Sequence, residues 1–404
     1  MSCAFFSISM TSSRSSLPKK SIIKLDIDDL YKISKQFSPD IYNITKDYAT
    51  IIVKSKEINY LDDAQIKYSY ILQDTRDYLS RYKSLIEDYH TYSSLLTELE
   101  SFALEDNVSL NIIGQSYEGR NIYALKIGKD TGATKPAFLV TALSHAREWT
   151  SLEVAYLFIE NIIENMERTD VLNLVETIDF WIIPLINPDG FEYSISTDRF
   201  WRKNRSPNAD GSYGTDLNRN YSYKWDLNTY TDADSDTYKG SSALSENETK
   251  ALSDFMAEID IQASVDIHSY GQYVFYPWAY SDALPQDSKA YINLTDSITE
   301  NIGYVYDTIY QNIQPSSIYP TTNGQLAGSL IDYAYFTYSV PSITIETRPL
   351  AGDLSGFELS ISEINDTYNE LEFLFYSMAN IAKNQNFPDY YDTEESAETS
   401  GCGE

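Results

Sequence analysis

Histidine is scarce in this chain, with three in 404 residues, and two of the three stand where chemistry is commonly placed. His145 follows the apolar run AFLVTAL, and His268 follows ASVDI. Both runs read as buried strands, and open α/β sheets carry their sites beyond the carboxyl ends of strands. Glu148 lies three residues after His145, in SHAREW, where the strand pattern gives way to a helical one. A His and a Glu three apart at a helix start can aim at one point. A distant second His then completes a three-ligand set with an open fourth position, the pattern of a catalytic zinc site. An ordinary surface ion pair shows the same spacing, and spacing alone does not separate the two. The only cysteines are Cys3 and Cys402, both in tails, so any metal must be bound by histidine and carboxylate, and no disulfide framework holds the body together.

The elements that would position these residues follow from periodicity. NIYALKI, AFLVTAL, IDFWIIPLI, ASVDIHS and SITIE read as strands, and they alternate with helical patterns, clearest in LEVAYLFIENIIE, SENETKALSDFMAEI and ISEINDTYNELEFLFYSMANIAK. Strands this apolar are buried on both faces, which requires helices on each side of the sheet. The fold class is therefore α/β, with a mixed, mostly parallel central sheet flanked by helices. Ahead of it, IIKLDI reads as a strand, DDLYKISKQF as a helix through Leu30, Ile33 and Phe37, and YATIIV as a second strand. These make a small strand-helix-strand unit.

Lys and Arg number 30 against 60 Asp and Glu, a net charge of −30, and such a field repels nucleic acid and anionic lipid. No apolar run reaches the roughly 18 to 20 residues that span a bilayer, so no membrane span is expected. The opening MSCAFFSISM is apolar, but Arg14, Lys19 and Lys20 follow it, whereas a signal peptide carries its positive charge in front. The 35 tyrosines against 16 phenylalanines suit half-buried strands and a wet cleft as well as a core.

SHAREWTS, WIIPLINPDGFEYS, TDRFWRKNRS, GTDLNRNYSYKWD, DTYKGSSALSENET, DIHSYGQYVFYP and SITIETRP occur in this order. Block by block they resemble the zinc carboxypeptidases related to pancreatic carboxypeptidases A and B, from about residue 89 to 383. Residues 21–73, ending in IKYSYILQD, look like a shortened form of that family's activation domain. The resemblance implies one Zn²⁺ per chain, held by His145, Glu148 and His268. It implies Glu346, at the end of SITI, as general base, with an ion pair to Arg348 as the competing structural role, and Arg202 as the group that stabilises the oxyanion. Asn218 and Arg219, in DLNRN, match the pair that grips a C-terminal carboxylate, for which a guanidinium fork is suited. Arg147 would add positive charge at the next substrate position, giving a locally positive cleft. Ser269 and Tyr270 match residues lining the subsites, and Tyr319 matches a mobile tyrosine that closes over substrate. From Tyr319 to Asp332 the chain takes 13 steps, longer than the family pattern, so an insertion such as NGQLA lengthens that loop. Ile331, just before Asp332 and Tyr333, matches the floor of the specificity pocket. An isoleucine there offers no partner to a buried ammonium and favours aromatic or large aliphatic C-termini. His90, in DYHTY, matches a structural position.

The organisation expected is a Ser-rich leader over 1–20, an activation domain over 21–73, a connecting helix over 74–88, a catalytic domain over 89–384 and an acidic tail over 385–404. The function implied is removal of the last residue from peptides and proteins with a free C-terminus. An activating protease is an expected partner, with cutting sites offered by Arg76, Arg81 and Lys83, and the resemblance implies a secreted, extracellular enzyme. Two other readings stand beside it. One is a related peptidase acting on cell-wall or side-chain amides, which would need Asn218 and Arg219 less. The other is a non-catalytic binding module, whose signature would be a missing ligand, base or oxyanion arginine, and none is missing.

Overall fold

The computed structural model describes residues 19–45, 47–78, 88–318, 326–350, 354–385 and 387. The N-terminal part runs β1 (Lys20–Asp26), α1 (Ile27–Ile33), β2 (Asp40–Ile44), β3 (Tyr48–Lys54), α2 (Ser55–Asp63) and β4 (Tyr68–Leu72). Its four strands form an antiparallel sheet in the order β2-β3-β1-β4. Alternation puts Ile23, Leu25, Ile51 and Val53 on one face, where Leu30 and Ile33 of α1 and Leu61 of α2 complete a small core. The sequence pattern gave one strand-helix-strand unit, and the structure has two such units interleaved. The second helix, SKEINYLDD, buries Leu61 alone, too narrow an apolar stripe to stand out from sequence. Phe37 lies beyond the end of α1 but still packs against this core.

The larger part begins with α3 (Tyr92–Phe102), β5 (Val108–Gln115), β6 (Asn121–Ile127), β7 (Ala137–Ala142), α4 (Trp149–Glu164), α5 (Thr169–Thr177), β8 (Asp179–Ile183) and α6 (Pro188–Ser196). It continues with α7 (Asn247–Met256), β9 (Ile261–Ser269), β10 (Tyr273–Phe275), α8 (Ser288–Tyr306), β11 (Gln311–Ile313), α9 (Leu330–Tyr338), β12 (Ser342–Thr347) and α10 (Ile361–Asn384). Its eight strands form a mixed sheet in the order β11-β10-β12-β9-β7-β8-β6-β5. The centre, β12-β9-β7-β8, is parallel, while β5, β6 and β10 join antiparallel. The five strands read from sequence are β6, β7, β8, β9 and β12. The short β10 and β11 and the half-exposed β5 gave no comparable apolar run.

Both faces of the sheet are covered, as its apolar strands require. Phe138 and Val140 of β7 face Phe158 of α4 and Phe375 of α10, whose rings stack at 4.5 Å. Leu139, between them, faces the opposite side with Leu252 and Met256 of α7 and Ala334 of α9. The longest helix, α10, starts on a capping box: Ser360 Oγ accepts from the Glu363 amide, and the Glu363 carboxylate accepts from the Ser360 amide. No described helix is long and apolar enough to cross a membrane. Of the connecting helix expected over 74–88, Thr75–Asp77 form a single 3₁₀ turn, and residues 79–87, with Arg81 and Lys83, lie outside the described residues. The leader up to residue 18 and the tail from residue 388 also lie outside them.

Candidate metal centre and active site

The parallel strands β7, β9 and β12 end side by side, and the pairing of β9 with β12 sets His268 directly opposite Glu346. After β7 the chain turns through Leu143, held in the left-handed region at φ 54°, a conformation costly for a branched residue without local support. The Leu143 amide donates to Ser151 Oγ at 3.1 Å, and the turn delivers His145 and then Glu148, the residue immediately before α4. His145 Nδ1 lies 2.8 Å from Glu148 Oε1, and His268 Nδ1 lies 2.8 Å from Glu148 Oε2. The two Nδ1 atoms are 3.1 Å apart. The surface-pair alternative fails on burial, since all three side chains are at most 5 % exposed.

The outward nitrogens fix what this cluster asks for. His145 Nε2 lies 3.1 Å from Asp216 Oδ1, and His268 Nε2 lies 2.8 Å from Asp266 Oδ2. An imidazole that donates from Nε2 to a carboxylate presents a lone pair at Nδ1. Two such lone pairs and a carboxylate crowded on one point repel each other unless protons or a metal cation sit among them. The donor set, two nitrogens and an oxygen each backed by a further polar group, fits zinc. Burial pushes Glu148 up, but the imidazoles of His145 and His268 outweigh it and hold its carboxyl well below the usual range. Burial pushes His268 down, and Asp266 and Glu148 more than reverse this.

Such a buried His-Glu-His set, at the ends of the parallel strands β7 and β9 of a mixed sheet, agrees with the comparisons to known proteins. Residues 95–373 match the family model described as zinc carboxypeptidase. The chain belongs to the zinc carboxypeptidase family. It is 31 % identical over 356 residues to carboxypeptidase B of Bos taurus, covering 83 % of this chain and 84 % of that one. It is 34 % identical over 292 residues to a zinc carboxypeptidase of Simulium vittatum, covering 70 % and 92 %. Among solved structures, the carboxypeptidase A of Helicoverpa armigera superposes with a TM-score of 0.79 at 23 % identity, over 91 % of this chain and 99 % of that one. The chain is thus a metallocarboxypeptidase, a peptide hydrolase whose cofactor is zinc.

Around the triad stand the other residues singled out in the sequence. Glu346 lines the same cleft, and burial, then the charge of Glu148, push its carboxyl up to about 8 against the opposing pull of His268 and Arg202. It makes no pair with Arg348, which binds Glu370 and lies 3.6 Å from Asp366. Arg202 donates from Nε and Nη2 to Asp216 Oδ2 at 3.1 and 2.9 Å, leaving Nη1 3.8 Å from Glu148. Asn218 and Arg219 lie in the 3₁₀ turn Leu217–Arg219, where the Asn218 amide donates to the same Asp216 at 3.0 Å. Asn218 is locked in place, its Oδ1 accepting from the Leu330 amide at 2.8 Å. Ser269 and Tyr270 line the cleft.

Ile331, 3 % exposed in the first turn of α9, packs with Phe275, Ala279 and Leu326. Its neighbour Asp332 accepts from the Ala279 and Tyr280 amides at 2.8 and 3.0 Å. Burial pushes that carboxyl up to about 7, and both oxygens are spent on backbone rather than offered to the pocket. His90 Nδ1 pairs with Glu153 of α4 at 2.7 Å, a structural role. Tyr319 lies outside the described residues.

Two expectations change. Arg147 does not stand as an open positive group, because Asp40 of β2 binds it through two hydrogen bonds of 2.5 and 2.7 Å, both side chains buried. The cleft is accordingly less positive than its arginines suggest, since Arg202 is matched by Asp216 and Arg147 by Asp40. Sequence reasoning also passed over Asp216 and Asp266. Each stands two residues before a residue it did select, Asn218 and His268, and that proximity was the available signal.

Asp266 carries no charge to substrate, so its effect should be read on the metal. Asp266→Asn is expected to keep the fold and weaken zinc affinity about 10- to 100-fold, measured by competition with a chelator. Unchanged affinity would show that Asp266 does not orient His268.

Proposed function

We propose that the chain is the proenzyme of an exopeptidase that removes aromatic or large aliphatic residues from C-termini. The observation that carries this is the meeting, in one cleft, of the His145, Glu148 and His268 set, Glu346, the pair Asn218 and Arg219, and the apolar pocket around Ile331. In this reading His145, Glu148 and His268 are the zinc ligands, and zinc when bound supplies a Lewis acid that polarises the scissile carbonyl and acidifies water. Glu346 takes a proton from the attacking water and hands it to the departing amine, a task suited to a buried carboxyl of raised basicity. Arg202, braced by Asp216, faces the oxygen on which negative charge develops, and fixed charges of this kind contribute a few kcal/mol in the transition state. Asn218 and Arg219 hold the substrate's terminal carboxylate, which restricts cutting to the last bond.

The pocket supports the side-chain preference. Among the described residues, Ile331, Phe275, Ala279 and Leu326 offer no partner to a buried ammonium, while Asp332 is turned to the backbone. Neither competing reading gains an observation: no ligand, base or oxyanion arginine is missing, and Asn218 and Arg219, dispensable for other amides, are built into the cleft.

The N-terminal sheet is read as an activation domain, with a protease as the activating partner and action outside the cell. Pro39, Asp40, Ile41 and Tyr42 line the cleft itself, and Tyr42 packs edge-on against Phe357 at 4.6 Å and Tyr270 at 5.9 Å. The match to the Helicoverpa structure, at 91 % of this chain, is too long to leave this sheet out.

Three measurements test these assignments. Glu346→Gln should retain zinc and substrate affinity while kcat for a blocked dipeptide falls by orders of magnitude; near-normal kcat removes Glu346 as the base. With substrates ending in Phe, Leu, Lys and Glu, kcat/KM should favour Phe and Leu, and Ile331→Asp should move the preference towards Lys. A wild-type preference for Lys would refute the role given to Ile331. Asp40→Ala should raise hydrolysis by the uncut chain, since Arg147 is then released to substrate, and equal rates in both chains would show that this pair does not restrain the cleft.

A further inference from the structure

The two parts of the chain differ sharply in charge. Residues 1–78 hold 11 Lys and Arg against 10 Asp and Glu, whereas residues 79–404 hold 19 against 50. The whole net charge of −30 therefore belongs to the part that carries the active site. The contact between the parts shows where this asymmetry is used. A loop of the larger part reads TDADSDTY, with Asp232, Asp234 and Asp236 at alternate positions, and three lysines of the N-terminal sheet meet it. Lys20, at the start of β1, lies 3.3 Å from Asp236 and 3.5 Å from Asp198, with its ammonium 5.5 Å from the Trp201 ring. Lys54, at the end of β3, lies 2.9 Å from Asp234 Oδ1 and donates to the Asp234 carbonyl. Lys56, in the first turn of α2, lies 3.1 Å from Asp234 and 3.5 Å from Asp232.

We propose that Lys20, Lys54 and Lys56 form an ionic clamp on the loop 232–236, so that ionic strength, and not only cleavage of the chain, sets how firmly the N-terminal sheet covers the cleft. The inference rests on the reading that this sheet covers the active site, and adds a second anchor to the pair of Asp40 and Arg147. The two ends of the clamp behave differently. Lys20 is 3 % exposed and its partners 6 and 13 %, so salt screens it little, and it fixes where the sheet sits. Lys56, Asp232 and Asp234 are 45 to 63 % exposed. Pairs of this kind are individually weak and are screened within about 10 Å at 0.1 M salt. They are backed by the field of a strongly acidic body, which draws a near-neutral unit through its local cations rather than its net charge. Lys203 of the larger part also holds the loop, donating to the Ala233 carbonyl at 2.8 Å, so the carboxylates are presented on a braced segment.

The test uses the uncut, zinc-loaded chain. Hydrogen exchange over residues 40–63 and hydrolysis of a blocked dipeptide ending in Phe are followed as sodium chloride is raised from about 0.05 to 0.5 M, a change that shortens the screening length roughly threefold. Both rates should rise several-fold with salt. The variant K54E/K56E should show the faster rates already at low salt, with little further response. Adding D232K/D234K to it should restore the slow exchange, which a merely misfolded unit would not do. Exchange that ignores salt, and is the same in wild type and K54E/K56E, overturns the clamp. Exchange that responds while hydrolysis does not keeps the clamp and instead overturns the reading of the N-terminal sheet as a cover.

Discussion

Two imidazole nitrogens and a carboxylate, buried and aimed at one another across the ends of β7 and β9, form a ready-made cation site, and much of the structure holds them there. The parallel order β12-β9-β7 brings His145, His268 and Glu346 to one rim. The turn at Leu143 and the start of α4 add Glu148. Asp216 and Asp266 point the histidines by taking their outer nitrogens. Asp216 carries more of this burden than any residue chosen from the sequence, because it also braces Arg202 and caps the turn that carries Asn218 and Arg219. Burial pushes its carboxyl up, but Arg202, Arg219 and His145 together hold it well below the usual range. It therefore stays an acceptor for His145, Arg202 and the Asn218 amide.

The cleft mixes strong charges with an apolar pocket, and the two are kept separate by where hydrogen bonds are spent. Arg202 and His145 are satisfied on the side of Asp216. The carboxylate next to Ile331 in the chain, Asp332, is turned to the Ala279 and Tyr280 amides. The described residues packed on Ile331 are apolar, and the proposed preference for aromatic or large aliphatic C-termini rests on the apolar area they offer.

The N-terminal sheet docks by the same economy of charge. Asp40 neutralises Arg147 inside the cleft, and lysines at the strand ends meet an acidic loop outside it. A positively charged cleft was the natural expectation from the arginine-rich blocks WRKNR and NRN. A buried guanidinium must be paired, however, and its partners come from segments 14 and 107 residues away.

Sequence by itself determined the sheet's central strands, the α/β class and the identity of the ligand, base and carboxylate-gripping candidates. Buried parallel strands write continuous apolar runs, and chemistry at their ends leaves rare residues at fixed offsets. His145, Glu148 and His268 stood out for that reason, whereas Glu346, Asn218 and Arg219 were picked out by the resemblance to the zinc carboxypeptidases. Only the tertiary structure decided which cations stay open to substrate, which carboxylates steer the histidines, and that Asp40 and Tyr42 enter the cleft. Those outcomes depend on pairing between residues far apart in the chain, and neither local periodicity nor residue type encodes which distant charge will meet which.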